Sequence, residues 1–253
     1  IKILTNQTCF YAESGGQVGD SGFIKTDTGS INIEDTQKFF GSLFVHYGYV
    51  KEGYIKKNQD CYLEINHKRR ENIKSNHSAT HLLHAALREE LGGHVAQKGS
   101  YVGPDRLRFD FSHSKQIDEV QQKKINERVN YFINRNDKVV TRLMSPDKAI
   151  KEGAMALFGE KYGEEVRVVS MGNDNNKVFS LELCGGTHVE STGKIGKFAV
   201  ISESSIASGV RRIEALRGNE LKIYLENKNL SEQQNLKINK LKFEEIVSQI
   251  KNL

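Results

Sequence analysis

The chain has 253 residues, enough for one large domain or two ordinary ones, each with its own buried core. With 37% hydrophobic and 27% charged residues, no Trp and a mean hydropathy of -0.55, it is too apolar for a disordered tail, and no apolar run reaches the roughly 18 residues of a membrane span. A net charge of +5 and a pI near 8.9 suit an RNA or phosphate partner without requiring one. The three Cys, at positions 9, 61 and 184, lack paired spacing and leave one over, which argues against a disulfide framework and for a reducing compartment.

The chain opens on Ile1-Lys2-Ile3-Leu4, a strand-like run with no basic-then-apolar targeting segment before it, and so reads as a piece of a longer protein. Gly22-Phe23-Ile24-Lys25 and Ser30-Ile31-Asn32-Ile33 flank the turn Asp27-Thr28-Gly29, a hairpin signal. Leu43 to Tyr47 and Cys61 to Ile65 are further strands, and residues 1–66 are expected to form a small β-barrel or sandwich. From Arg69 to Leu91 the period changes to 3.6, with Ile73, Ala79, Leu82, Leu83, Ala86 and Leu87 as a stripe that Gly92-Gly93 closes. Leu107 to Phe111 reads as a strand, and Ile117 to Asn134 as a helix with Val120, Ile125, Val129, Phe132 and Ile133 inward. Further strands are expected at Lys138 to Val140, Val166 to Val169, Val178 to Leu181, Ile195 to Ser204 and Val210 to Leu216, with a short helix from Lys148 to Phe158. The fold class is α+β: helices on one mostly antiparallel sheet across residues 67–218, the N-terminal β-barrel before it, and an amphipathic linker helix over 219–253. That last helix carries loose heptads at Leu236, Leu241, Phe243, Ile246, Val247 and Ile250, would extend on the order of 50 Å if continuous, and looks cut off at Leu253.

Chemistry concentrates in a few segments. His77 and His81 stand at i and i+4 of the predicted helix, where both imidazoles can reach one metal ion. Cys184-Gly185-Gly186-Thr187-His188 comes about a hundred residues later, and its Gly-Gly turn can bring Cys184 and His188 together. One thiolate and three imidazoles make a good zinc set, and the Ser after His77 excludes the metalloprotease signature. His84, on the same face as His81, is either a competing ligand or a packed histidine. His94 and His113 have no partner by spacing, and Cys9 and Cys61 read as small buried hydrophobes in strands.

Phe10 to Asp20 holds three Gly among polar side chains, which is either a turn cluster or a loop whose backbone approaches a ligand, with Gln17 offering an amide. Arg211 and Arg212, if in a strand, point to opposite faces, so that one can meet the site or a phosphate while the other is solvated or paired to a carboxylate. The basic group Asn66-His67-Lys68-Arg69-Arg70 reads as a solvated helix start, with phosphate contact as the alternative.

Phe10 to Asp20, His77 to His81 with the following Leu-Leu-His-Ala-Ala-Leu-Arg, Gln97-Lys98-Gly99-Ser100, Arg106 to Phe111 and Cys184 to His188 together resemble the editing domain of alanine–tRNA ligases (alanyl-tRNA synthetases), from about Thr8 to Gly218. The resemblance implies hydrolysis of the ester joining wrongly attached serine or glycine to tRNA(Ala), with one Zn2+ on His77, His81, Cys184 and His188 and with Gln17 in the editing pocket. It implies tRNA(Ala) as partner, a cytoplasmic location, and an aminoacylation domain using ATP and Mg2+ before Ile1. It also implies self-association through a C-terminal region of the parent enzyme. An editing pocket must accept serine and spare alanine, which requires a buried polar group for the hydroxyl. Glu13, Ser14, Gln17 and Thr80 are the candidates, Gln17 first; Gln17 or Asp110 can position water, and Ser14, Gly15, Gly16, Arg211 and Arg212 are candidate substrate contacts. Four protein ligands close a zinc site, so either one yields to water or substrate or the metal chiefly orders the pocket. A tRNA-binding module without hydrolysis and a free-standing editing protein are the competing expectations.

Overall fold

The computed structural model describes residues 1–155, 163–174 and 177–233. Its first part is one antiparallel sheet built from β1 (Lys2–Ile3), β2 (Gly22–Lys25), β3 (Gly29–Phe39), β4 (Leu43–Gly53) and β5 (Tyr62–Ile65), in the order β1-β4-β3-β2-β5. The expected hairpin pairs Lys25 with Ser30 and Ile24 with Ile31, and alternation sends Ile24, Ile31 and Ile33 inward against Phe10. No ladder joins β1 to β5 among the described residues, so the sheet is open rather than the closed barrel expected. Cys9 is exposed and outside any strand, and Cys61 is half-buried just ahead of β5; neither is the buried strand residue expected.

Helix α1 (His67–Leu91) starts two residues before the predicted Arg69, because the Asn66 side chain accepts from the Arg69 amide at 3.0 Å. Part of its basic first turn is solvated as expected, with His67 and Lys68 exposed, while Arg69 donates to Gly19 O at 2.7 Å and Arg70 grips the buried carboxylate of Asp20, both in the segment ahead of β2. The Gly92 amide closes the helix on Arg88 O, with a φ of 114 that favours glycine there.

Beyond α1 come β6 (Gln97–Val102), β7 (Leu107–Ser112), α2 (Glu119–Arg135), β8 (Val140–Met144), α3 (Pro146–Lys151), β9 (Val166–Asp174) and β10 (Lys177–Leu183). A 3-10 turn (Thr192–Ile195) then leads into β11 (Phe198–Ala207) and β12 (Val210–Arg217), and residues 218–233 are helical. These strands form two antiparallel sheets, β11-β12-β7-β6 and β10-β9-β8, where one was expected. Helix α1 packs on β6 and β7 of the first and on β10 of the second, so its buried face joins them. One core results, in which Leu82, Leu83 and Leu87 of α1 meet Phe109 and Phe111 of β7, Phe132 of α2 and Met171 of β9.

Three local readings shift. Val120 is 65% exposed in the first turn of α2, where the Asp118–Gln121 capping box sets the helix entry; only Ile125, Val129, Phe132 and Ile133 turn inward. Helix α3 starts at Pro146 behind a Ser145 cap and ends by Lys151; the predicted extension past 155 lies outside the described residues. Ile195 belongs to the 3-10 turn, and its strand begins only at Phe198. The heptad positions from Leu236 to Ile250 also lie outside the described residues. Among the described residues no helix is long and apolar enough to cross a membrane.

Candidate functional site

Helix α1 presents His77, Thr80, His81 and His84 on successive turns of one buried face. Strand β10 brings Glu182 to that face and runs into Cys184-Gly185-Gly186-Thr187-His188. The ligand atoms of His77, His81, Cys184 and His188 lie within 4.8 Å of one another. Cys184 Sγ is 3.4 Å from His77 Nε2 and 3.3 Å from His188 Nε2. The other nitrogen of each ring is held from behind: His77 Nδ1 by Gln17 Oε1 at 2.8 Å, His81 Nδ1 by Glu182 Oε2 at 2.8 Å, and His188 Nδ1 by Ser78 Oγ at 3.2 Å. The acceptors Gln17 Oε1 and Glu182 Oε2 place a proton on Nδ1 of His77 and His81, and the rings converge with Cys184 Sγ, the pattern in which outer partners fix metal-ligand rings. His81 Nε2 is buried without a hydrogen-bond partner. An orphaned imidazole nitrogen within a borderline-soft set of three nitrogen donors and one sulfur fits Zn2+.

The turn between Cys184 and His188 is fixed from both sides. A Cβ on Gly186 would overlap the His77 ring and stand 2.9 Å from Gln17 Oε1, so glycine alone fits. Arg167 of β9 donates to Cys184 O at 3.1 Å and also to Gly186 O. The electrostatics favour a thiolate: burial raises the Cys184 thiol, yet the neighbouring His77 and His81 bring it well below its ordinary value. Burial, together with the charge of His77, lowers His188 to about 3, which keeps that ring neutral and able to ligate.

Beside the cluster lies a cavity of about 310 Å³ whose wall includes Tyr11, Ser14, Thr80, His84, Gln97 and Ser100, with Glu182 and Cys184. Burial, with the Cys184 charge nearby, pushes Tyr11 up to about 12, so it stays a phenol and donates to Ser14 O at 3.1 Å.

Of the residues singled out from sequence, Ser14, Gly15, Thr80, His77, His81 and Cys184 border this cavity. Gln17 does not; it sits fully buried behind the cluster, its Oε1 accepting from His77 and from Thr187 N (2.8 Å) and its Nε2 donating to Thr187 Oγ1 at 2.9 Å. The expectation that Gln17 reads the substrate hydroxyl is therefore corrected: both ends of its amide are occupied by protein. Gly15 and Gly16, with φ of 58 and 84, form the two-residue loop of a tight turn between Ser14 and Gln17, the backbone pattern that requires glycine. A side chain on Gly16 would overlap Ser100. Glu13 is exposed and bound by Gln37 at 2.8 Å, outside the cavity wall. Asp110 is clasped by Arg212 at 2.7 and 2.8 Å, and Arg211 by Glu203, so the two arginines do take opposite faces, each on a carboxylate and neither in the cavity wall. His84 bonds to Glu182 Oε1 at 3.1 Å and is outside the four-donor group. His94 and His113, expected to lack partners, meet each other at 2.9 Å. Sequence reasoning missed Glu182, Arg167 and Ser78, and quoted Gln97 and Ser100 without a role; a lone carboxylate two residues before Cys184 in an apolar strand was the available signal.

The sequence that carries this arrangement matches known families. Residues 166–214 match the threonyl and alanyl tRNA synthetase second additional domain, and residues 1–69 match the class II (A) tRNA synthetases. The alanine–tRNA ligase of Rhizobium meliloti (strain 1021) is 56% identical over 230 residues, which is 89% of this chain and 26% of that protein. That of Chelativorans sp. (strain BNC1) is 56% identical over 231 residues, and that of Mesorhizobium japonicum is 53% identical over 234, each likewise with 26% of its length covered. The chain belongs to the alanine–tRNA ligase family and spans about a quarter of the length of the curated relatives it matches.

Proposed function

We propose that this chain is the editing portion of an alanine–tRNA ligase and hydrolyses the ester of Ser-tRNA(Ala) and Gly-tRNA(Ala). The observation that carries the reading is the convergence of His77, His81, Cys184 and His188 beside a small polar cavity, in a stretch matching the second additional domain. In this reading residues 67–218 are the editing domain, 1–66 a β subdomain, and 219–253 a linker helix. tRNA(Ala) is the partner in the cytoplasm, ATP and Mg2+ serve the parent enzyme's aminoacylation domain, and self-association uses its C-terminal region.

His77, His81, Cys184 and His188 would hold Zn2+, which when bound supplies a Lewis acid able to polarise an ester carbonyl or acidify water. The chain's own part is positional. Gln17, Glu182 and Ser78 orient the three imidazoles, and Arg167 and Gly186 fix the turn that carries Cys184. Ser14, Thr80 and Gln97 give the cavity polar groups that a glycyl or seryl ester can reach. A synthetic site built for alanine cannot exclude glycine by size and rejects one added hydroxyl poorly, which is the circumstance in which a second hydrolytic site is needed.

The test is deacylation of Ser-tRNA(Ala) by the zinc-supplied chain, with the full-length ligase as control. Cleavage is expected, and Cys184→Ala should lower the rate at least a hundredfold while lowering zinc content. A zinc-loaded chain and ligase that bind the charged tRNA yet leave its ester intact would replace this reading with that of a binding module.

A further inference from the structure

Several donors of the cavity wall are already committed to protein acceptors, and the wall also carries acceptors. Thr80 Oγ1 donates to Asn76 O at 2.9 Å and Ser100 Oγ to Gly15 O at 3.2 Å, so both hydroxyl hydrogens are committed to backbone carbonyls. Gln97 Nε2 bonds to Ser100 Oγ at 3.3 Å, and the amide oxygen of Gln97 remains an acceptor. Arg167, the one guanidinium among the described lining residues, directs Nε and Nη2 to the carbonyls of Cys184 and Gly186.

His84 adds the most distinctive acceptor. It lies one turn beyond Thr80 on α1, is 5% exposed, and packs its ring against Phe109 at a centroid distance of 5.1 Å. Its Nδ1 lies 3.1 Å from Glu182 Oε1, which puts a carboxylate directly behind the ring, and in the Nδ1–H tautomer Nε2 is an acceptor. That Nε2 is buried and has no hydrogen-bond partner, on a residue that lines the cavity. Buried acceptors are ordinarily satisfied, so an orphan on a residue of the cavity wall calls for a partner that a ligand donor can supply. An imidazole backed by a carboxylate, in a wall that also holds Thr80 Oγ1 and the Gln97 amide oxygen, suits a cationic donor with several N–H groups.

We propose that His84 Nε2 receives the α-ammonium group of the aminoacyl ester, with Thr80 Oγ1 and the Gln97 amide oxygen as flanking acceptors. His84 is then a substrate-binding residue that selects aminoacyl over hydroxyacyl esters. The inference rests on the hydrolytic reading above and identifies which part of the substrate this wall recognises.

Three esters of the same tRNA test it with the zinc-loaded full chain: seryl, glycyl, and the glyceryl ester made from seryl-tRNA by nitrous acid deamination, which replaces only the ammonium by a hydroxyl. His84→Asn keeps a donor for Glu182 and deletes the Nε2 position, whereas His84→Gln can place its amide oxygen near that position. A lost charge-assisted hydrogen bond should lower the seryl-over-glyceryl ratio of kcat/KM by about ten- to a hundredfold in His84→Asn, with glycyl falling alongside seryl. His84→Gln should recover part of it, and zinc content and Tm should match the unsubstituted chain.

A loss confined to the seryl ester, with glycyl untouched, would overturn the proposal in favour of side-chain hydroxyl recognition. Equal loss on all three esters with reduced zinc or Tm would leave His84 a structural residue, and an unchanged ratio would also overturn the proposal. Should the unsubstituted chain cleave none of the esters, the hydrolytic reading fails separately. The same ratio is then read from binding of the uncleaved esters, where no change in His84→Asn overturns the inference.

Discussion

Each imidazole of the cluster is held from behind through Nδ1, and the residues behind the rings decide what the front can do. Gln17 illustrates this: one amide orients His77 and the Thr187 backbone together. Gln17→Ala would leave His77 Nδ1 and Thr187 N unpaired in a buried place, and loss of such an outer partner typically costs about 10–100-fold in metal affinity. Chelator competition should show that loss, with far-ultraviolet circular dichroism unchanged. The four donors were legible in the sequence because i,i+4 on a helix and Cys-x3-His across Gly-Gly are local spacings. The role of Gln17 was not: its contacts lie 60 and 170 residues away, and a flexible polar side chain in a glycine-rich turn carries no local sign of direction.

At the scale of elements, legibility followed local pattern. The β2–β3 hairpin and helices α1 and α2 were read closely because turn residues and apolar periods are written in consecutive residues. Strand β6 was not, since Gln97-Lys98-Gly99-Ser100 has no apolar alternation, and its assignment depends on pairing with β7. The division into two sheets was invisible for the same reason: nothing local says that β10 pairs with β9 and not with β11.

One element carries a pH signature of its own. His46 of β4 is fully buried, bonded through Nε2 to Thr8 Oγ1 at 2.7 Å and through Nδ1 to Ile3 O at 3.2 Å. Burial lowers its pKa, so below about 6.5 the unfolded chain binds a proton that the native His46 resists. The stability linked to this residue is complete above that pH and declines as the pH falls through the lowered native value. Urea midpoints at pH 7.5 and 5.5 should fall for the native chain, and by a smaller margin for His46→Gln. An equal fall in both would exclude His46 as the source.

On the scale of the whole molecule, the cluster ties the N-terminal sheet, α1 and the β10–β11 connection into one unit. Gln17 reaches it from the first part of the chain, His77 and His81 from α1, and Cys184 and His188 from beyond β10. If zinc occupies the cluster as proposed, removing it should act across these connections and not on every element equally. Chelation is expected to lower Tm and to raise hydrogen exchange around residues 184–190 and in the middle of α1, while the β2–β3–β4 ladders keep their protection. Uniform loosening of all three sheets would show that the metal holds the entire fold and not chiefly the site.

The 110 residues separating Ser78 from His188 also give the site a history during synthesis. A ribosome adding about 5–20 residues per second needs roughly 5–20 s to pass from one half of the cluster to the other. Throughout that interval the His77–His81 face of α1 is made before Cys184, and ring nitrogens that could share one ion with it are open to water and to any competing cation. The complete four-donor set is available only once His188 has left the exit tunnel, so selective loading of a metal on these four donors would be a late event in the making of this protein.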